Sequence, residues 1–383
     1  MSRRVRVLQI VLDLEAGGLE RMVADLMNGL DPARFESHIL PLHFLGRHGA
    51  DLEAHAAVHE APPSSRWSLL RPLALTRAIA AIAPDVVHTH SGTWYKGARA
   101  ARAAGVRLLV HTDHGRRSPD PWIGRVSDRL GSRYSDAVIA VSDALAEVLV
   151  TRIGVERRKV RTILNGVDTA RFAPAPDSGA LRARLGIPRE APLIGSLGRF
   201  DAVKRYDLMI DAFDRLRADW PAGRPAPHLV IAGEGPDRPA LERALSRTPY
   251  RGDVHLPGWV SDVHELHEAL QIFSLSSRSE GTSMSLLEAM SAGICPVVTD
   301  VGGNRAVLGP TLAPRLVPAE SAAALADGWR SALGDEGRRT ADARAARRRV
   351  EEAFSLRAMV QAYQAVYLEG ASDPSSPVTG ASV

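Results

Sequence analysis

The feature that most constrains this chain is a regular alternation between short, β-branched apolar runs and longer amphipathic stretches of helical periodicity. The first apolar run, Val5–Asp13, is followed by two glycines and then by a helical pattern over Leu19–Leu30. Strands that alternate with helices in this way form a mostly parallel sheet with helices on both faces. The alternation therefore predicts an α/β protein.

The alternation occurs twice, on either side of a proline-bearing stretch at 165–188 that resembles an interdomain linker. The chain is therefore expected to contain two doubly wound units in tandem, followed by a largely helical region over Ser321–Glu369 with a break near Ser355. The predicted strands are Val5–Asp13, Ser37–Leu42, Asp85–Thr89, Arg107–Thr112, Asp136–Val141 and Lys159–Leu164 in the first half, and Leu193–Leu197, His228–Ala232, Val254–Pro257, Ile272–Ser276 and Pro296–Thr299 in the second.

The composition of the 383 residues, 45% hydrophobic and 24% charged, excludes a disordered, collagenous or coiled-coil chain. The single cysteine, Cys295, excludes an internal disulfide framework and a multi-cysteine zinc site. No stretch approaches the ~20 apolar residues that span a bilayer, and no apolar leader is visible, so we expect a cytoplasmic protein. The net charge of +4 suits an anionic lipid surface or substrate, and equally a solvated surface.

Two cations follow the first predicted strand of the second half. Arg199 closes the segment GSLGR, and Lys204 follows five residues later. Both lie on a loop at the carboxyl edge of the predicted sheet, where such sheets bind ligands. Two positive charges there would bind a diphosphate and stabilise it as a leaving group, although two solvated loop charges would give the same pattern.

The strongest constellation is Ser279–Met290, SEGTSMSLLEAM, which follows a predicted strand and enters a predicted helix. Thr282 or Ser283 can cap this helix, whose free N–H groups suit a phosphate. Glu280 precedes the helix, and Glu288 lies within an apolar run. Two carboxylates so placed can accept hydrogen bonds from two polyol groups, and the alternative for Glu288 is a structural pair.

Two further strand ends carry candidate ligand contacts. Gly17 and Gly18 would let backbone N–H groups approach a phosphate, but the segment lacks the G-x-G-x-x-G fingerprint of dinucleotide-binding proteins. Trp259 and Val260 could flank a nucleotide base at the end of another predicted strand. A ligand-free turn and ordinary packing, respectively, are the alternatives.

Four histidines, His88, His90, His111 and His114, cluster at two neighbouring strand ends, in VVHTH and VHTDHG. They suggest zinc, but successive residues of a strand point to opposite faces, which argues against a shared metal. We expect instead that one histidine serves as a polar contact or proton donor. The chain also lacks an Asp-x-Asp pair, the common acidic clamp of metal–nucleotide complexes.

Taken in this order, the motifs resemble the retaining glycosyltransferases of family 4, which have the GT-B architecture. The segment GTSMS after Glu280 departs from the family, in which Pro or Phe-Gly is frequent, so the donor preference stays open. The matching pieces cover nearly the whole chain and are Gly17-Gly18-Leu19-Glu20, HTDHG at 111–115, DAVIAVSD at 136–143, ILNGVD at 163–168, GSLGRFDAVKRYD at 195–207, VIAGEGP at 230–236, LPGWVSDV at 256–263 and the Glu280–Glu288 pair.

The resemblance implies an α/β GT-B fold, in which two Rossmann-like doubly wound domains face each other across a cleft. Residues 1–172 would form the acceptor-binding domain, and residues 173–354 the nucleotide-sugar-binding domain. A C-terminal helix over 355–370 would pack back on the first domain, and a disordered tail over 371–383 would follow.

The resemblance also implies residue roles. Arg199 and Lys204 would bind the diphosphate, Glu280 a hydroxyl of the donor sugar, and Glu288 the ribose. His114 would lie beside the sugar near C1 and C6, with His111 as the alternative. The implied catalytic residues are His114, Glu280, Arg199 and Lys204. The implied nucleotide-sugar contacts are Gly17, Gly18, Arg199, Lys204, Trp259, Val260, Glu280, Gly281, Thr282, Ser283, Met284, Ser285 and Glu288.

The implied activity is metal-independent transfer, with retention, of a sugar from a nucleotide diphosphate sugar to a hydroxyl of a glycan, lipid-linked or small-molecule acceptor. A UDP-sugar is favoured over a GDP-sugar, and no cofactor, metal or nucleic acid is expected. Weak peripheral association with the inner face of the membrane is compatible with this role. The alternatives are a GT-B-type sugar-nucleotide epimerase and a non-catalytic nucleotide-sugar-binding protein. Acceptor choice would lie in residues 43–67 and 115–125; acceptor identity, linkage and oligomeric state stay open.

Overall fold

The computed structural model describes residues 3–15, 17–52, 54–62, 72–115, 121–260 and 262–372. Within them the chain forms two compact units. The first unit combines the residues up to Gly166 with those from Leu356 onward, and the second unit is Val167–Ser355. Each unit is a parallel sheet covered by helices, which confirms the predicted α/β class of two Rossmann-like domains.

The elements follow one another in the alternation that the sequence predicts. The strands are β1 (Val5–Val11), β2 (Phe35–Pro41), β3 (Ala57–Val58), β4 (Val86–His90), β5 (Leu108–Asp113), β6 (Ala137–Ala140), β7 (Val160–Thr162), β8 (Leu193–Leu197), β9 (His228–Ala232), β10 (Val254–Gly258), β11 (Ile272–Leu275), β12 (Cys295–Thr299) and β13 (Leu316–Val317). The helices are α1 (Gly18–Gly29), α2 (Leu73–Ile82), α3 (Trp94–Ala103), α4 (Trp122–Tyr134), α5 (Asp143–Val148), α6 (Ala180–Leu185), α7 (Tyr206–Ala218), α8 (Arg238–Arg247), α9 (Val263–Ala269), α10 (Met284–Ser291), α11 (Asn304–Leu308), α12 (Ala322–Gly334), α13 (Glu336–Ala353) and α14 (Leu356–Ser372).

The first unit is built on seven parallel strands in the order β3-β2-β1-β4-β5-β6-β7. The strand order reverses between β1 and β4, and the carboxyl ends at such a reversal border the crevice where doubly wound sheets bind ligands. Helix α14 returns to this unit and packs on β1, β4, β5 and α1. Its Tyr363 and Tyr367 are fully buried.

The second unit is built on six parallel strands in the order β10-β9-β8-β11-β12-β13. The order reverses between β8 and β11, so the loops after these two strands meet at the crevice. The core is apolar on both sides of the sheet, as parallel sheets require, and includes Ile194, Phe213 and Trp329.

The boundary between the units lies before Val167 rather than after residue 172. Val167 forms a β-bridge with Ser355, and its N–H donates to the Phe354 carbonyl at 2.8 Å. Phe172 is buried and stacks on His264 with ring centroids 5.0 Å apart. These contacts fix residues 167–172 in the second unit.

Several elements were not predicted from the sequence. Only the first turn of helix α4 lies in the expected acceptor loop 115–125, and α6 lies in the stretch interpreted as a linker. The helical C-terminal region has a second break at Asp335, whose side chain caps α13 by accepting from Arg338 N at 2.8 Å. Helix α14 continues through residues 371 and 372. The remainder of the expected tail, 373–383, lies outside the described residues, as do 53, 63–67 and 116–120 of the expected acceptor loops.

Candidate functional site

The structure brings Lys204 and Glu280 into direct contact at the crevice of the second unit. Lys204 lies on the loop after β8, and Glu280 on the loop after β11. The Lys204 ammonium donates to Glu280 Oε1 at 2.7 Å and to Oε2 at 3.0 Å. The Ser277 hydroxyl also donates to Oε1, at 2.5 Å. Two residues that are 76 positions apart in the sequence thus form one site.

The Lys204–Glu280 pair is mostly removed from water, with side chains 19% and 7% exposed. Burial disfavours the charged ammonium, but the Glu280 carboxylate and the nearby Tyr206 outweigh it and hold the pKa of Lys204 above its ordinary value. A buried ion pair adds little net stability, because desolvation offsets the attraction. Net stabilisation therefore does not by itself explain the pair.

The backbone of the Lys204 loop is held in a strained conformation. Arg205, which follows, has φ 51°, in the left-handed region that L-residues avoid. The Ser276 hydroxyl bonds to the carbonyl oxygens of Lys204 and Arg205 at 2.7 and 2.9 Å. A left-handed non-glycine residue persists only where its surroundings impose it, and such residues cluster at functional sites.

Arg199 is presented on a well-anchored loop with its side chain exposed. The flanking Gly198 N–H donates to Ala232 O at 3.0 Å, and the Phe200 N–H donates to Glu234 O at 2.8 Å. Within the described part of the chain, the Arg199 guanidinium has no hydrogen-bond or ion-pair partner. Arg199 thus lies between β8 and α7, on the same loop as Lys204.

The loop that carries Glu280 packs against two glycines that sequence reasoning missed. A Cβ on Gly302 would lie 1.8 Å from the Glu280 carbonyl oxygen, and one on Gly303 would lie 2.2 Å from that of Gly281. The next residue, Asn304, is fully buried and donates from Nδ2 to Thr299 O at 2.9 Å. The signal that could have revealed this support is the Gly-Gly-Asn triplet two residues after a strand, since paired glycines allow close backbone approach.

Helix α10 carries the remaining predicted contacts. Ser283 caps it by accepting from Leu286 N at 3.4 Å, as predicted for this position. Glu288 is 7% exposed on the same helix, and Thr282 and Met284 are buried, whereas Gly281 and Ser285 are half-buried. Trp259 and Val260 follow β10, an edge strand that β9 separates from β8; Trp259 is 37% exposed.

In the first unit, Gly17 precedes α1 and Gly18 begins it, at the end of the loop that follows β1. Gly17 has φ 176°, extended backbone that any residue can adopt. A side chain there would meet only the flexible carboxylate of Glu20, at 2.2 Å. The geometry therefore does not require glycine at position 17 for folding.

The four histidines separate into two groups on opposite faces of the first sheet. His111 is buried, stacks on Trp94 with ring centroids 3.8 Å apart, and lies 2.9 Å from Thr89 Oγ1. His88, His90 and His114 lie on the other side and are joined by hydrogen bonds to α14 or to one another. His111 is thus a packed core residue, whereas His114 is the half-buried member of the four.

The histidines are not arranged as a metal site. Among the described residues, no group of three or more His, Cys, Asp or Glu side chains is placed to hold a metal ion. Burial lowers the pKa of His114 to about 3, so its ring is neutral at physiological pH.

Two family models match consecutive parts of the sequence. "Glycosyltransferase Family 4" matches residues 16–171, and "Glycosyl transferases group 1" matches residues 177–349. These two stretches correspond closely to the two halves of the alternating pattern.

Curated relatives are similar at about 30% identity. The D-inositol 3-phosphate glycosyltransferase of Xylanimonas cellulosilytica is 30% identical over 307 residues, 73% of this chain and 71% of that protein. The UDP-Gal:alpha-D-GlcNAc-diphosphoundecaprenol alpha-1,3-galactosyltransferase of Escherichia coli is 29% identical over 238 residues, 58% of this chain. The aligned region spans 60% of the length of the Escherichia coli enzyme.

Solved structures share the fold at low sequence identity. HepE of Anabaena in complex with UDP-glucose superposes with a TM-score of 0.83 at 20% identity, over 96% of this chain and all 100% of that one. A glycosyltransferase of Rickettsia africae gives a TM-score of 0.80 at 18% identity, over 97% and 100% of the two chains.

Proposed function

The chain belongs to the family 4 glycosyltransferases, and on that premise we propose that it transfers a sugar from a UDP-sugar to an acceptor hydroxyl with retention of configuration. The observation that carries the proposal is the buried contact between Lys204 and Glu280, with Arg199 free on the same loop. An ammonium beside a carboxylate offers a cation to a phosphate and a hydrogen-bond acceptor to a sugar hydroxyl. A nucleotide diphosphate sugar carries both groups.

We assign the diphosphate to Arg199, Lys204 and the first N–H groups of α10, and the ribose to Glu288. The helix start adds a partial positive charge where the phosphates would lie. The names of the similar proteins support UDP as the nucleotide, because HepE was solved with UDP-glucose and the Escherichia coli relative is named for UDP-galactose. Gly17, Gly18 and His114, which belong to the first unit, are assigned to sugar binding.

The proposed chemistry is stabilisation of the departing diphosphate. Negative charge develops on the leaving oxygen as the bond to the anomeric carbon breaks, and fixed cations stabilise it without reorganisation. Two side-chain cations and a helix start would take the place of a divalent metal. The leaving phosphate oxygen would then accept the proton of the acceptor hydroxyl on the same face of the sugar, which retains the configuration.

The test compares two lysines. Lys204→Ala should lower the rate of UDP release by roughly 10²–10³, the usual cost of one charge-stabilising group. Lys159→Ala is the matched control, since Lys159 is also mostly buried and contacts Glu156 at 3.6 Å in the first unit. UDP-glucose should raise the thermal midpoint of the control but not of Lys204→Ala. Near-normal turnover by a folded Lys204→Ala protein would contradict the proposal.

Product analysis separates the alternatives. A retaining transferase gives an acceptor glycoside with the anomeric configuration of the donor, whereas an epimerase interconverts UDP-sugars without an acceptor. A non-catalytic protein binds UDP-glucose and releases no UDP. A chelator should leave the rate unchanged, and a strict requirement for a divalent metal would overturn the metal-independent part.

We also propose that α4 lies on an anionic membrane surface. Trp122, Ile123 and Val126 on this helix are 67%, 66% and 50% exposed, an unusual apolar patch for a solvated helix. Arg125 and Arg129 on the same helix are exposed beside them. Aromatic and aliphatic side chains with flanking arginines are typical of helices that lie in the lipid interface. No helix within the described part of the chain is long and apolar enough to cross a bilayer.

Vesicle sedimentation tests this surface. The wild type should bind vesicles that contain phosphatidylglycerol, and binding should weaken with salt because the arginines act through charge. A Trp122→Ser, Ile123→Ser variant should lose binding. Leu73→Ser, which changes another exposed apolar residue at 59% exposure, is the matched control. Equal binding by both variants would contradict the assignment.

A further inference from the structure

A continuous chain of hydrogen bonds runs through the first unit from His114 to α14. His114 Nε2 lies 2.9 Å from His90 Nδ1, and His90 Nε2 lies 2.8 Å from Gln9 Oε1. The amide nitrogen of Gln9 donates to the Tyr367 hydroxyl at 3.3 Å. The same hydroxyl lies 2.7 Å from His88 Nδ1. The chain thus crosses β5, β4, β1 and α14.

The chain continues beyond His88 to a second tyrosine. His88 Nε2 lies 2.7 Å from Thr112 Oγ1, which lies 3.1 Å from the Tyr363 hydroxyl. Of these groups, His88, Thr112 and both tyrosine side chains are shielded from water. The network is therefore isolated from solvent except near His114, which is half-buried.

The three imidazoles of this hydrogen-bond network, those of His88, His90 and His114, are neutral. Burial lowers the pKa of His88 and of His90 well below the ordinary value, and burial lowers that of His114 to about 3. A neutral imidazole has one N–H donor and one lone-pair acceptor. Between Gln9 and His114, where the only intervening group is the His90 imidazole, the direction of one hydrogen bond therefore fixes the direction of the next.

Gln9 sets this direction, because its amide is the member whose oxygen only accepts and whose nitrogen only donates. Its oxygen faces His90 Nε2, so that nitrogen carries the proton, and His90 Nδ1 is the acceptor. His90 Nδ1 must then receive its bond from His114 Nε2–H. This leaves His114 Nδ1 without a proton.

We propose that Gln9 is a positioning residue that holds the proton of His114 on Nε2 and presents Nδ1 as a hydrogen-bond acceptor to the ligand. His114 Nδ1 is buried and has no hydrogen-bond partner among the described residues. A buried acceptor of this kind normally receives a hydrogen bond, which a ligand donor could supply. Of the two roles expected for this histidine, polar contact or proton donor, the proposal assigns the polar contact, with the ring as the acceptor. The identity of the donor as a hydroxyl of the transferred sugar rests on the proposed function.

The proton position can be read in the ligand-free protein. Long-range ¹H–¹⁵N spectra of [¹⁵N]histidine-labelled protein distinguish protonated from unprotonated ring nitrogens, and the signals that disappear in His114→Asn identify His114. The wild type should show a protonated Nε2 and an unprotonated Nδ1. A protonated Nδ1 would mean that the Gln9 amide has the opposite orientation, and it would overturn the proposal without any variant at Gln9.

Two buried variants separate positioning from loss of packing. Gln9→Leu removes the group that sets the direction, so His114 should show a mixture of both tautomers. Tyr363→Phe removes a hydroxyl at the far end of the same chain and should leave His114 unchanged, because Gln9 still fixes the direction. An unchanged His114 in a folded Gln9→Leu protein, or the same change in both variants, would overturn the role of Gln9.

The ligand part is tested separately by adding UDP-glucose to the wild type. The Nδ1 signal should shift while remaining that of an unprotonated nitrogen. If the free protein shows the expected tautomer but UDP-glucose leaves the signal unmoved while raising the thermal midpoint, Gln9 keeps its role and the sugar contact of His114 is wrong. If UDP-glucose neither moves the signal nor raises the midpoint, the proposed donor itself fails.

Discussion

Gly302 occupies a position at which any side chain is unfavourable, for two reasons. Its φ of 51° is left-handed, and an added Cβ would lie 1.8 Å from the Glu280 carbonyl oxygen. The first condition costs an L-residue roughly 1–2 kcal/mol, and the second displaces the loop that carries the Glu280 carboxylate. The glycine is thus part of what holds that carboxylate beside Lys204.

We expect Gly302→Ala to lower the free energy of unfolding by more than the ~1–2 kcal/mol of backbone strain, and to weaken UDP-glucose binding. The matched control is Gly223→Ala, since Gly223 also has a positive φ, 81°, but open space around the added methyl. Urea midpoints and UDP-glucose titrations of both variants decide the matter. Equal losses would show that the clash with the Glu280 loop is relieved at no cost.

His267 shows a second property of single residues, the pH dependence of stability. Both of its ring nitrogens are buried without hydrogen-bond partners among the described residues. Burial, helped by His264, lowers the pKa of His267 from 6.5 to about 3. As the pH falls below the ordinary pKa, the unfolded chain takes up a proton that the folded protein refuses. The stability that the protein gains by keeping His267 neutral is therefore complete above about pH 6.5 and is lost progressively on acidification.

We expect His267→Phe to be no less stable than the wild type at pH 7.5, because it removes two unsatisfied polar atoms. Between pH 7 and 5 the wild type should lose about 2 kcal/mol more than the variant, from one proton over ~1.5 pH units. Urea unfolding at a series of pH values measures both slopes. Parallel slopes would mean that His267 takes up its proton in the folded state.

At the scale of elements, one carboxylate forms ion pairs with both loops that carry Lys204 and Glu280. Glu320 pairs with Arg205, the residue after Lys204, and with Arg278, two residues before Glu280, whose Nε lies 2.6 Å from Glu320 Oε1. Glu320 itself has φ 59°, a further left-handed residue at this place. The bridge orients the loops rather than the ligand.

We expect Glu320→Ala to change stability by less than about 1 kcal/mol, because Glu320 and Arg278 are about half exposed and Arg205 keeps Asp207 as a partner. The affinity for UDP-glucose should fall by less than about tenfold, as loosening by ~1 kcal/mol would give. Glu147→Ala removes an exposed pair with Arg157 in the first unit and should leave the affinity unchanged. A loss of affinity in both variants, or in neither, would show that the bridge has no specific role.

The accuracy of prediction from the sequence differs between elements. Buried parallel strands such as Leu193–Leu197 and His228–Ala232 were predicted to the residue, because continuous apolar runs bounded by turns leave little choice. Helix α4 was missed although Trp122, Ile123 and Val126 recur at helical spacing, and nothing in the sequence indicates that this apolar face is exposed rather than buried. The Lys204–Glu280 contact could be suspected from the motifs, but the Gln9–His90–His114 chain depends on β1, β4 and β5 being neighbours.

At the scale of the molecule, the first unit is assembled from two distant pieces of chain. Helix α14 buries Tyr363 and Tyr367 against the sheet that residues 3–166 supply. Gly166 and the start of α14 lie close together, with the Gly166 N–H 3.1 Å from Met359 Sδ. The second unit, by contrast, is one uninterrupted segment.

We expect residues 167–355 to unfold cooperatively when expressed alone, and residues 1–166 alone to be unfolded or aggregated. Joining Gly166 to Leu356 through a short glycine linker should restore a folded first unit. Circular dichroism and urea unfolding of the three proteins provide the measurement. A stable, cooperative fold of residues 1–166 alone would show that α14 is dispensable.

The split first unit also dictates an order of events on the ribosome. Its opening 166 residues emerge early but lack their last helix until the whole of Val167–Ser355 has been translated. At ~5–20 residues per second this delay is roughly 10–40 s. During that interval the hydrogen-bond network of the buried histidines lacks its two tyrosines. A message truncated before Leu356 would yield a product in which the second unit, translated later, is complete and the first unit, translated earlier, is not.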